Sequence, residues 1–169
     1  DGTEAADANE AMVDRFCAKA ERRGITVLRD KTHQRDGDWI VDFVERIARA
    51  DRVFAMIGER YWKRPYCMAE LHGCWRRSQS DRDAFKQKVR EFLFADSGVL
   101  ANGFLARFRA HWEQERQRVQ ALNDGDREQS DRLIADNAEK WRADACEIAD
   151  AITGRIRGYE GDFEAYMST

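Results

Sequence analysis

Apolar positions change their spacing about halfway along the chain. In the first half, short apolar runs alternate with stretches of helical period. Met12, Val13, Phe16, Cys17 and Ala20 recur at helical spacing, and Gly24 follows a basic last turn. That pattern predicts a helix over Asn9–Arg23 ended by a C-terminal glycine. Ile25–Leu28 is short, rich in β-branched residues and bounded by Gly24 and Asp30, the signature of a strand. Lys31–Asp38 is polar and aperiodic and reads as a loop. Ile40, Val44, Ile47 and Ala48 mark a second amphipathic helix over Trp39–Ala50. Val53–Ile57 is continuously apolar and stops at Gly58, as a strand buried on both faces does. An aromatic and basic loop, Glu59–Pro65, leads to a third helix opened by Pro65, with Cys67, Leu71, Cys74 and Trp75 as its buried stripe. Val89–Phe94 reads as a third strand.

The second half is helical throughout. Leu105, Phe108, Trp112, Val119 and Leu122 recur at spacings of three and four or their sums, and so do Ile134, Ala138, Trp141, Ala145, Ile148 and Ile152. Asn123-Asp124-Gly125 between them is a turn, and Asp126 with Gln129 offers a helix N-cap. The expected product is an antiparallel helical hairpin whose seam is intramolecular and covers the sheet edge. Strand and helix in alternation imply right-handed crossovers. The fold class is therefore α/β, a flavodoxin-like parallel sheet with helices on both faces, followed by the hairpin. One domain over 1–169 is expected, divided into an α/β core (1–100), the hairpin (101–157) and a tail (158–169).

Composition narrows the function classes. With 43% hydrophobic and 36% charged residues and a single proline, the chain reads as a soluble, helix-rich globule rather than a disordered segment. A net charge of -3 argues against direct nucleic-acid binding. No apolar run is long enough to span a bilayer and no signal peptide is visible, so no membrane contact and a cytoplasmic location are expected. Cys17, Cys67, Cys74 and Cys146 are scattered and read as reduced thiols. The chain opens on Asp1 rather than methionine, as an excised or processed domain would.

Ligands of parallel α/β sheets bind in the loops after the strands, here Arg29–Asp38 and Gly58–Pro65, with the start of the next helix. Phosphate-binding glycine loops, nucleophile elbows and zinc-protease helices are absent from the sequence. His33, His72 and His111 are far apart, and Cys67, His72 and Cys74 do not share a face with a fourth donor, so no metal site is expected. Glu70 stands out as an acid one turn into a helix aimed at the ligand end, with Tyr61, Trp62 and Tyr66 nearby. On residue patterns alone it reads as a solvated helix carboxylate, and Tyr61 and Trp62 as packing residues.

The order of these pieces resembles a TIR (Toll/interleukin-1 receptor) domain of bacterial type. The run from Glu21 to Trp75 has a helix, a glycine, a strand ending in aspartate and a polar glycine-containing loop. It continues with a helix leading into A-R-A-D-R-V-F-A-M-I-G, a tyrosine loop and a C-x-x-E-L helix. Tyr61, Pro65-Tyr66-Cys67 and Glu70-Leu71 sit where the family has Y…S-x-W-C-x-x-E-L. The resemblance covers about residues 8–95, and the remainder is similar to the helical extension of a group of bacterial TIR proteins. The family's first strand is expected to be missing from this chain, and the hairpin to stand in place of its last elements.

The resemblance implies a substrate. Many similar TIR domains cleave the nicotinamide–ribose bond of NAD+, using the glutamate that Glu70 matches. Arg29, Asp30, Trp39, Tyr61, Trp62, Tyr66 and Cys67 would face the bound nucleotide. NAD+ would be substrate, with no further cofactor, and the product ADP-ribose or a cyclic form, in antiviral defence or signalling. The Lys31–Trp39 loop would mediate self-association with other TIR domains. The alternative implied by the same resemblance is a non-catalytic adaptor acting through that loop. A phospho-receiver domain has similar topology, but of its clustered acids only Asp30 is matched.

Overall fold

The structure is a computed structural model and describes residues 2–27, 29, 45–47, 49–50 and 52–153. The first described element is helix α1 (Gly2–Arg22), which begins seven residues earlier than the apolar spacing indicates. Gly24 takes a left-handed φ of 75° after it, the conformation that ends helices and favours glycine. Strand β1 (Val53–Ile57) pairs in parallel with β2 (Val89–Leu93), with Val53 opposite Val89 and Ile57 opposite Leu93. The Phe94 N–H adds a bond to the Ile57 carbonyl at 2.9 Å. Between the strands lie α2 (Pro65–Arg77) and the short α3 (Arg82–Lys88); after them come α4 (Phe104–Gln120) and α5 (Gln129–Thr153).

The two faces of the sheet are covered differently. On one, Phe16 of α1 lies with ring centroids 4.8 Å from Phe54 and 6.3 Å from Phe92. On the other, Ala55, Ile57 and Val89 join a core with Leu71 and Cys74 of α2 and Phe85 of α3. β1 is thus buried at Ala55 and Ile57 and half-buried at Phe54 and Met56, rather than equally buried on both faces. The hairpin continues the same core: Phe108, Trp112 and Val119 on α4 meet Ile134, Trp141 and Ile148 on α5. The principal neighbours of α5 are α4, α2 and α3, so the hairpin backs onto helices rather than the sheet edge expected for it.

Two further expectations shift. Residues 25–27 are not paired as a strand, and Ile25 is 51% exposed. A strand exists through its ladder, and among the described residues nothing pairs with this segment; Leu28 lies outside the described residues. Helix α3 escapes sequence reading because Phe85 is its only buried residue and makes no stripe. Its cap is legible afterwards: Asp81 accepts the Ala84 N–H at 2.7 Å. Of the helix expected over Trp39–Ala50, residues 45–47 and 49 are helical and Ile47 touches the core; 39–44 and 48 lie outside the described residues, as do the Lys31–Asp38 loop and the tail from 154.

Candidate active site

The carboxyl end of β1 is tightly drawn together. A side chain on Gly58 would begin 3.2 Å from the Asn9 amide of α1 and 3.3 Å from an Asp96 carboxylate oxygen just past β2. A glycine admits that approach as it stands, whereas a Cβ would push the Asn9 and Asp96 side-chain ends back by a few tenths of an ångström. The chain then folds back, with the Tyr61 N–H bonded to the Gly58 carbonyl at 3.1 Å, into a short 3-10 turn, Tyr61–Lys63. Arg64 is extended (ψ 122°), as the residue before a proline must be, and Pro65 is the first helical residue of α2. The sequence therefore launches α2 from the ligand end of the sheet.

Glu70 is half-buried and sits one and a half turns into α2. Cys67 and Cys74 are three before and four after it, which places all three on one side of the helix. Tyr61, from the preceding turn, reaches the same place. Burial first, and then Cys67, Glu70 and Cys74, hold its phenol well above the ordinary range. The fully buried Cys74 thiol is likewise pushed up to about 11 by burial; Lys88 opposes the shift and Glu70 adds to it. Tyr61 and Cys74 accordingly keep their protons at neutral pH, and Glu70 is the carboxylate of the cluster. A half-buried carboxylate beside a phenol and a thiol is suited to stabilising positive charge on a ligand.

The other residues singled out from sequence distribute around this cluster. Trp62 is only 5% exposed; its ring packs edge-on to Phe104 at 5.0 Å and Phe108 at 6.2 Å. Its face is engaged in the core, and it supports Tyr61 (5.8 Å, edge-on) from beneath. Tyr66 lies near the start of α5, where burial first and then Glu128 and Asp131 raise its pKa. Arg29 is held by two carboxylates of α1, Glu10 and Asp14, next to the Asn9 that abuts Gly58. It is therefore at the sheet's carboxyl end but anchored on α1. Asp30, Trp39 and the Lys31–Trp39 loop lie outside the described residues. His72, weighed with Cys67 and Cys74, turns instead to Asp144 of α5, its Nε2 2.9 Å from Oδ2.

Asn9 and Asp96 at the strand ends escaped sequence reading. Asp96 carried a usable signal, an acid three residues beyond a strand's carboxyl end; Asn9 carried none, being a polar residue within a helix.

A family model described as TIR domain matches residues 5–134. No curated protein and no solved structure matches the chain. The match runs beyond the resemblance visible from sequence, through α4 and into α5, and takes in the whole Glu70 cluster. Spanning well over half of the sequence, it shows that the chain belongs to the TIR domain family.

Proposed function

We propose that this TIR domain is an NAD+ glycohydrolase with Glu70 as its catalytic carboxylate. The observation that carries the reading is the half-buried Glu70, beside Tyr61 and Cys74, on α2, the helix that starts from the carboxyl end of β1. Breaking the nicotinamide–ribose bond releases nicotinamide as a neutral leaving group from a pyridinium, so protonation of the leaving group is not required. Positive charge develops on the ribose as an oxocarbenium-like centre. A carboxylate stabilises that centre through space, by orienting ribose hydroxyls or by brief covalent capture. Water then yields ADP-ribose, and attack by an adenine nitrogen yields a cyclic product. Tyr61, Tyr66, Cys67, Arg29, Asp30 and Trp39 would line the nucleotide's path, with Trp62 fixing Tyr61.

TIR domains commonly self-associate or bind other TIR domains, and the reading includes assembly through the Lys31–Trp39 loop. No helix among the described residues is long and apolar enough to cross a membrane. The free cysteines suit a reducing compartment, in keeping with action in the cytoplasm.

The test is nicotinamide release from NAD+ by the concentrated protein and by Glu70→Gln, followed by chromatography. The expected result is turnover by the parent and a loss of about a hundredfold or more in the variant. No release from an assembled parent overturns the enzyme reading and leaves a TIR–TIR adaptor.

A further inference from the structure

The groove between α2 and α5 carries two cations, Arg76 and Lys140, against one carboxylate, Asp144. It is an open depression of about 440 Å³, lined by His72 and Arg76 on one wall and Asn137, Lys140, Ala143 and Asp144 on the other. Arg76 is four residues after His72, and Asn137, Lys140 and Asp144 follow each other at three and four, so each wall is one helical face. Asp144, the carboxylate of the lining, is bonded to the buried His72 at 2.9 Å. The two cations face each other across the groove without an ion-pair partner among the described residues. Lys140 Nζ has only the Asn137 amide oxygen at 3.5 Å. On the adjoining hairpin Arg116 and Arg142 pair with Glu113, Arg118 with Asp131 and Arg127 with Asp124, while Arg107 and Arg109 donate to backbone carbonyls. Both Arg76 and Lys140 act on the His72 ring, so their fields converge at one point of the groove.

We propose that this groove binds a phosphate group, clasped between Arg76 and Lys140 over the His72–Asp144 pair. Phosphate fits the chemistry because guanidinium presents a planar fork of donors to its oxygens while the ammonium adds a point charge from the other side. The cavity leaves room for an organic group attached to the phosphate. Glu70 and His72 are two residues apart, about 200° around the helix, so the groove opens on the side of α2 away from the Glu70 cluster. The proposal therefore stands independently of NAD+ cleavage.

The probes are inorganic phosphate and, in a second arm, adenosine 5′-monophosphate, titrated at constant ionic strength. Binding is followed by the thermal-unfolding midpoint and by ³¹P line width, neither of which requires turnover. Saturable binding by the parent is expected, weakened about tenfold in Arg76→Gln and in Lys140→Gln and lost in the double variant. Asp144→Asn, which removes the carboxylate from the lining, is expected to bind more tightly. Arg132→Gln, an equal charge change elsewhere on α5, leaves binding unchanged. Monophosphate binding tighter than phosphate by tenfold assigns an organic phosphate, and equal affinities assign the phosphate group alone. Absence of saturable binding, or binding that persists in a folded Arg76→Gln/Lys140→Gln protein, overturns the proposal.

Discussion

His72 shows how much one side chain's surroundings matter. It is 6% exposed, and burial lowers its pKa below the ordinary 6.5, with Asp144 opposing the shift and Arg76 and Lys140 reinforcing it. The folded protein therefore binds a proton at His72 less readily than the unfolded chain does. Its contribution to stability is complete above pH 6.5 and declines as pH falls through the lowered folded value. The melting temperature is expected to fall as pH drops below 6.5, and His72→Gln to flatten that slope. An unchanged slope in the variant would place the sensitivity on other groups. From sequence His72 was merely a poor metal ligand, because its partner lies 72 residues away. Glu70, by contrast, was legible: Pro65 opens the helix, and counting along it sets the glutamate's depth.

At the scale of elements, the ends were harder to read than the middles. Every α5 position expected in the seam (Ile134, Ala138, Trp141, Ala145, Ile148 and Ile152) is buried. The cap expected from Asp126 and Gln129 falls elsewhere. Asp126 closes a 3-10 turn, and Arg127 is extended after it. Asp131 then reaches back to accept the Glu128 N–H at 3.1 Å, while Arg118 of α4 donates to its other oxygen at 2.7 Å. One carboxylate thus caps α5 and ties the two arms of the hairpin. Asp131→Ala is expected to cost about 1–3 kcal/mol in urea unfolding, and Asp126→Ala under about 0.5 kcal/mol. Equal effects would return the cap to Asp126. Residues 25–27, expected within a strand, illustrate the converse limit, since propensity names a strand but a ladder partner makes one. The turn between α2 and α3 places Gln79 and Ser80 at φ of 55° and 56°, a left-handed pair without glycine that the sequence does not announce.

For the whole molecule, a column of aromatic rings joins the site to the hairpin. Tyr61 meets Trp62, Trp62 meets Phe104 and Phe108, and Phe108 leads to Trp112, whose ring is 4.6 Å from Trp141. Trp112 and Trp141 are fully buried, so either truncation leaves a large cavity. Trp141→Ala is expected to cost about 3–5 kcal/mol, a large share of the stability of a typical domain. Unfolding followed by circular dichroism, and Tyr61 environment followed by near-ultraviolet signals, should report one transition. A hairpin that melts separately, at lower denaturant than the Tyr61 signal, would show that the column does not couple the two regions.

Strands β1 and β2, the helix that carries Glu70, the hairpin with its seam and the family were all legible from the amino-acid sequence. These follow from short-range spacing, because a residue's face on a helix or strand depends only on counting to its near neighbours. Long-range closure of the fold set which polar groups come together: His72 with Asp144, Arg118 with Asp131, and Asn9 and Asp96 each against Gly58. It also decided that Trp62 belongs to the core and that Arg29 is held by α1. Each of these depends on how distant segments close on one another, and local periodicity carries no information about that closure.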